Sequence, residues 1–316
     1  MSVSAGKPVY DGLTTYVAGV DEAERIRQSL YRVDDSALAP KLAAVPERLS
    51  EADLAFFRAN GYLAIEGLLS ADEVAVAKAA LSDLIAHRER YGDGLGIQEE
   101  PYYQDGGTTA VGDDPELRVR KLWKFAKSER RLGELTRHPK LVALLDQLIG
   151  PGHRMIQDMA LLKPPYAGAE KPWHQDNAYF DYTPLDGIVG AWIAVDRATV
   201  ENGCMQVIPG THLDGPAPHY HVRDCQLNDE RVEVPRALVV PLAPGGVLLF
   251  SGLLHHGTPP NRSADRRRAL QFHYAAAHCQ KLSIREHAEL FDDGGAYAGC
   301  RDWDLEAGMS RARVEA

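Results

Sequence analysis

Apolar residues recur at helical spacing in the first half of the chain and in short β-prone runs in the second. Ser50 opens a helix, with Asp53 placed for a capping-box-like start and Leu54 and Phe57 following at helical intervals. Asn60 and Gly61 end it, since these residues best tolerate the left-handed conformation of a helix C-terminus. Residues 62–66 then read as a short strand. Ser70 and Glu73 form a second capping box ahead of an apolar stripe of Val74, Ala77, Leu81, Leu84 and Ile85. A third helix is expected over 132–148, closed by Gly150 and Pro151. Before Ser50 the pattern gives one helix over 21–31 and an Ala/Pro-rich connector, read together as a variable arm over 1–48.

Beyond Pro151 the texture changes. Runs at 154–163, 188–195, 205–208, 238–242, 247–250 and 270–275 suit strands and alternate with Gly/Pro turns. Strands at such spacing suggest a sandwich or barrel. The polar stretches 102–114 and 213–234 are read as lids or binding loops, because structureless segments of that length are usually functional. The expected organisation is one domain over 49–316. It has a helical part to about 150, a β core over about 151–280 and an extension over about 281–316.

Charge and cysteine usage narrow the function classes. The 316 residues carry 45 acidic and 35 basic side chains, a formal charge of −10. Nucleic-acid binding needs a basic stripe to displace phosphate counterions, and an anionic membrane surface also selects basic faces, so neither partner is expected. The cysteines at 204, 225, 279 and 300 lie far apart with no C-x-x-C pair, which disfavours a disulfide framework and a zinc knuckle. No basic region followed by an apolar run opens the chain. The most apolar window, 237–254, is broken by Pro241, Pro244, Gly245 and Gly246. A soluble, cytoplasmic protein is the expectation.

Three constellations could carry chemistry. His174 and Asp176 stand two apart, so on a strand they would share a face. An apolar strand runs into His255 and His256 before breaking at Gly257. Two histidines and one carboxylate leave three open positions on an octahedral metal, the facial arrangement of non-haem Fe(II) oxygenases. Arg266, Arg267 and Arg268 lead into an apolar strand, and an arginine entering a buried strand needs a partner that a dicarboxylate could supply. Each also has an ordinary reading: a hydrogen-bonded pair near a strand end, a histidine in a turn, a solvated basic turn. His219 and His221 form an H-x-H pair, a metal-binding pattern set in a polar loop. His212 is expected to stabilise the loop leaving its strand. Tyr102, Tyr103, Tyr179 and Phe180 are candidate substrate walls.

Taken in order, these pieces resemble the phytanoyl-CoA dioxygenase family of Fe(II)/2-oxoglutarate-dependent oxygenases over about residues 49–274. The landmarks are the helix–Asn60-Gly61-Tyr62–strand start, Lys163-Pro164-Pro165, Trp173 to Asp176, the strand Gly190 to Asp196, Glu201-Asn202-Gly203, Ile208 to His212, and His256-Gly257-Thr258 with Asn261 and the arginine run. The resemblance implies a mainly β fold with helical additions around a double-stranded β-helix, the cupin-like jelly roll. It implies His174, Asp176 and His256 as ligands of Fe(II), His256 being chosen over His255 because it stands five before Asn261. It implies Arg267 as the partner of the C5 carboxylate of 2-oxoglutarate, with Thr258, Lys121 and Trp192 near that cosubstrate and Gln157 and Met159 on an adjoining strand. O₂ is then the second cosubstrate. A small molecule is hydroxylated with release of succinate and CO₂, or else desaturated, epoxidised or cyclised. Family members that halogenate replace the carboxylate ligand with a small residue, so Asp176 implies oxidation without halide. From another class, a non-oxidative cupin-like isomerase or lyase would need neither Arg267 nor O₂.

Overall fold

The computed structural model describes residues 29–100 and 114–294, with the backbone of two short strands at 303–304 and 309–310. Its centre is a pair of sheets. The larger has the strand order β1 (Lys41–Leu42), β2 (Tyr62–Ile65), β13 (Val247–Ser251), β8 (Ile188–Ala194), β15 (Arg267–Ala275), β5 (Arg154–Lys163), β4 (Val119–Trp123) and β3 (Gly96–Glu99). The smaller runs β12 (Leu238–Val240), β9 (Met205–Val207), β14 (His256–Thr258) and β6 (Lys171–His174). From β2 through β13, β8 and β15 to β5, and throughout the smaller sheet, neighbours in space are distant in sequence, as a jelly roll requires.

The central strands of the larger sheet are buried on both faces, and alternation decides what each face meets. Val189, Ala191 and Ile193 of β8, Val247 and Leu249 of β13, and Leu270 and Phe272 of β15 form one apolar cluster with the helices. Those helices are α1 (Glu51–Asn60), α2 (Ala71–Ala86), α3 (Arg130–Leu135) and α4 (Pro139–Ile149). Trp192, Leu248, Phe250 and Ala269 point the other way and pack with Met205, Val207 and Val239 of the smaller sheet. Both expected capping boxes form, Ser50 with Asp53 and Ser70 with Glu73. Gly61 closes α1 in the left-handed region at φ 79°, with its N–H on the Phe57 carbonyl. A Cβ there would lie 2.6 Å from His212 Nδ1, so the same glycine lets the His212 loop dock on α1.

Where the structure departs from the pattern, the reasons are local. The helix expected over 132–148 is two, because Pro139 starts a new helix at its first turn. The 213–234 stretch contains a hairpin, β10 (His219–His221) with β11 (Cys225–Leu227), which its polar side chains concealed. Strands β3 and β4 extend the larger sheet out of the part read as helical. Residues 30–42 of the arm are laced to the core: the Trp173 indole N–H donates to the Leu30 carbonyl at 2.7 Å, and β1 pairs in parallel with β2. The expected helix at 21–31 lies almost wholly outside the described residues, and Tyr102 and Tyr103 entirely so. Cys204 and Cys279 are free and buried, while Cys225 is disulfide-bonded, a bridge the spacing did not suggest. No helix among the described residues is long and apolar enough to cross a membrane.

One glycine connects the core to the site. Gly190 lies between Phe250 and His273 in the register of β13, β8 and β15. A Cβ there would sit 2.5 Å from the Phe250 ring, and that ring packs 4.7 Å from the His256 ring. Gly190→Ala is therefore expected to destabilise the fold by about 1–3 kcal/mol through overpacking, measured by urea unfolding.

Candidate active site

His174 ends β6 and His256 begins β14, and the two face each other across that antiparallel pair with ring centroids 4.2 Å apart. Asp176 is not on the strand: it opens a 3₁₀ turn over Asp176–Tyr179. The carboxylate thus reaches the histidines by a turn, not by strand alternation. The ligand atoms of His174, Asp176 and His256 all lie within 4.8 Å of one another, and all three side chains are buried. The Nδ1 atoms bond to backbone carbonyls, His174 to Pro172 at 2.7 Å and His256 to Leu254 at 2.9 Å. Each Nδ1 is therefore the protonated nitrogen, and each Nε2 lone pair faces the cluster. Burial first, then the neighbouring His256 and Lys171, push His174 down to about 4, so it is neutral near pH 7.

Asp176 is held as an anion. Burial alone would raise its pKa, but the facing His273 and His256 keep it well below the usual carboxylate range. His273 Nε2 lies 2.6 Å and Gln271 Nε2 3.2 Å from Oδ2, while His174 Nε2 lies 3.2 Å from Oδ1. Its ion-pair contacts among the described residues are all histidines. A buried carboxylate facing two neutral imidazole nitrogens suits a divalent cation with open positions on one side.

Gln175, between the two residues of the H-x-D pair, stitches the surroundings together. Its amide donates to the Gly215 and Leu253 carbonyls at 2.8 Å each and accepts the Ala217 N–H at 2.9 Å. Its backbone N–H donates to His219 Nε2 at 2.9 Å. His219 is thus a buried pin for the hairpin, and His221 is exposed on the same strand; neither joins the metal-like cluster. His255 also stays outside it, with Asp214, Glu233 and Arg236 as its charged neighbours. His212 bonds the Arg58 carbonyl at 3.0 Å and holds its loop to α1.

The three arginines separate cleanly. Arg266 pairs with Glu116 at 2.7 Å, and Arg268 forms a two-point pair with Asp196 at 2.8 and 3.1 Å. Arg267 turns inward, is 1% exposed, and meets no acid; one NH1 bond reaches the Leu161 carbonyl at 3.2 Å and Nε has no partner. Burial lowers its pKa to about 10, leaving a cation at neutral pH. Its guanidinium lies 5.4 Å from the Trp192 ring centroid, so Trp192 braces Arg267 from behind and is not among the cavity-lining residues. Thr258, Lys121, Gln157 and Met159 line the same cavity as Arg267 and the three clustered residues. An unpartnered guanidinium across a cavity from a metal-like cluster fits a dicarboxylate that chelates a metal at its other end.

Tyr179 also lines the cavity, while Phe180 packs against His273 at 4.8 Å outside it. Several lining residues had no signal in the pattern. Lys171 donates to the Tyr179 hydroxyl at 2.7 Å and pairs with Asp224 at 2.8 Å; Arg120 pairs with Glu100 at 3.3 Å. Asp224 sits in the turn of the hairpin, so no sequence spacing links it to Lys171. His273 and Gln271 were legible only as alternate positions of an inward-facing strand beginning at Arg267. If they fix the carboxylate for a metal, His273→Phe lowers Fe(II) affinity about 10- to 100-fold, read by metal titration in the absence of O₂.

The family model described as "Phytanoyl-CoA dioxygenase (PhyH)" matches residues 57–269. The chain is 29% identical to peroxisomal phytanoyl-CoA dioxygenase of Rattus norvegicus over 249 residues, covering 73% of this chain and 69% of the relative. Among solved structures it resembles EctD from S. alaskensis with bound Fe, with TM-score 0.60, 22% identity and coverage of 81% and 89%. It also resembles the non-heme alpha-ketoglutarate-dependent epimerase SnoN, with TM-score 0.56, 23% identity and coverage of 77% and 89%. The matched segment spans most of the core, from α1 through the arginine run into β15, and on that ground the chain belongs to the phytanoyl-CoA dioxygenase family.

Proposed function

We propose that the protein is an Fe(II)- and 2-oxoglutarate-dependent oxygenase that hydroxylates a small molecule, releasing succinate and CO₂. The observation that carries this reading is the pairing, in one cavity, of the His174–Asp176–His256 cluster with a buried arginine that has no acid of its own. When bound, the iron and 2-oxoglutarate supply the O₂ activation that no side chain can provide.

The chain's own residues supply position and environment. His174 and His256 offer neutral Nε2 lone pairs, and Asp176 offers Oδ1 while Oδ2 is held by His273 and Gln271. Arg267 receives the distal carboxylate, oriented by Trp192 behind it, with Thr258 beside it on the cavity wall. Lys121, unpaired among the described residues and pushed down to about 8 mainly by burial, stands on the same wall as a further contact for the cosubstrate. Tyr179, Lys171 and Asp224 form a bonded rim beside His174 and keep bulk water from the reacting atoms. With Asp176 as a carboxylate ligand, the reading is oxidation without halide.

Incubation with Fe(II), 2-oxoglutarate, O₂ and a substrate library, scored by succinate release and product mass, tests the reading. Hydroxylation adds one oxygen; loss of two hydrogens would instead indicate desaturation or ring closure. An isomerised product with no O₂ or 2-oxoglutarate consumed would overturn it in favour of a non-oxidative metalloenzyme, in which the buried Arg267 has no task.

A further inference from the structure

Arg267 is not alone at the far end of the cavity. Lys163 stands directly opposite it in the register of β15 and β5, and both line the cavity. They are 1% and 4% exposed. Like charges directly opposite on a sheet repel, and burial removes the water that would screen them. Two other cations on the cavity wall have an acid, Arg120 with Glu100 and Lys171 with Asp224, while Lys121 has none among the described residues. Lys163 and Arg267 have only carbonyls, Ala169 for the lysine and Leu161 for the arginine.

Of the acids nearest in electrostatic effect on Lys163, Glu170 is engaged through both oxygens and Glu100 through Oε2, and neither forms an ion pair with Lys163 or Arg267. Glu100 takes Arg120 and the Ala169 N–H, and Glu170 takes Tyr31 and Arg223. Nor is Lys163 a loose side chain. Its stem fills the space above Gly203, where a Cβ would lie 3.0 Å from its Cδ, and Asn261 Nδ2 holds its carbonyl at 3.2 Å. Two fixed, buried, facing basic groups without an ion-paired acid form a receptor for a carboxylate, whose arrival would favour the ammonium that burial and Arg267 disfavour on Lys163.

We propose that Lys163 and Arg267 together cradle the distal carboxylate of the cosubstrate, so that the pair, not Arg267 alone, selects a 2-oxo diacid over a 2-oxo monoacid. This rests on the oxygenase reading above. Lys163 is a positioning and selectivity residue with no part in the bond-breaking chemistry.

The test titrates the anaerobic Fe(II) protein with 2-oxoglutarate and with 2-oxobutyrate, which lacks the distal carboxylate, following the visible charge-transfer band. Lys163→Gln, which can keep the bond to the Ala169 carbonyl, is expected to weaken 2-oxoglutarate binding at least about tenfold and to leave 2-oxobutyrate within about twofold. Lys163→Arg is expected to retain the preference for the diacid. Equal weakening of both ligands, or of neither, in Lys163→Gln overturns the proposal. Should that variant fail to fold, Lys163→Met takes its place. Glutarate is expected to raise the melting temperature of the metal-free wild type more than butyrate does and to lose most of that advantage in the lysine variant, and an advantage that survives intact overturns the cradle. Absence of any charge-transfer band in iron-loaded wild type would instead defeat the oxygenase reading, with the glutarate comparison still judging the cradle.

Discussion

Asp176→Ala is expected to abolish 2-oxoglutarate decarboxylation coupled to substrate oxidation and to lower Fe(II) affinity by more than about a hundredfold. Among the described residues, the carboxylate is the only anion facing His174 Nε2 and His256 Nε2 in the cluster. Without it two neutral imidazoles remain, and His273 and Gln271 donate into vacated space. Stability should move differently. A buried anion held by histidines contributes little net stability to the metal-free fold, since desolvation offsets its attractions. The metal-free variant is therefore expected to melt no more than a few degrees below wild type, by calorimetry. A wild-type rate in Asp176→Ala would sink the assignment, and a collapse of the fold would show that the residue is chiefly structural.

Arg267→Ala is expected to raise the 2-oxoglutarate concentration needed for half-maximal turnover about a hundredfold, on the order of 3 kcal/mol, with Fe(II) affinity unchanged. The guanidinium is a buried fork whose Nε has no partner among the described residues, so removing it deletes a ligand contact without breaking an ion pair seen there. Arg267→Lys should not restore binding. An ammonium cannot present two parallel N–H groups to one carboxylate, nor lie flat on Trp192. A shift below about threefold, or a parallel loss of iron binding, would remove Arg267 from the cosubstrate end.

These expectations reach back to the sequence unevenly, for physical reasons. The capping boxes at Ser50 and Ser70 and the strand at 154–163 were legible because they depend on contiguous residues with a fixed period. The jelly roll and its candidate triad were legible through family resemblance, since nothing local says that β6 lies beside β14. Pattern alone left His255 and His256 equal and the three arginines equal. The fold separates them by which way each side chain leaves its strand. The charged wall of Glu100, Arg120, Lys171 and Asp224 was invisible, because polar residues in a hairpin and on an edge strand look solvated until the fold buries them. Lys163 was visible as part of Lys163-Pro164-Pro165, but its meaning comes from lying opposite Arg267, which is a matter of register.

The central claim is that His174, Asp176 and His256 hold Fe(II) with 2-oxoglutarate chelated beside them. Its most direct test adds Fe(II) and then 2-oxoglutarate to the metal-free protein without O₂, reading the visible metal-to-ligand charge-transfer band in wild type, His255→Ala and His256→Ala. The account expects the band in wild type and in His255→Ala, and its loss in His256→Ala. A wild-type protein that binds iron yet gives no band with 2-oxoglutarate, or a band that survives in His256→Ala and disappears in His255→Ala, would contradict it.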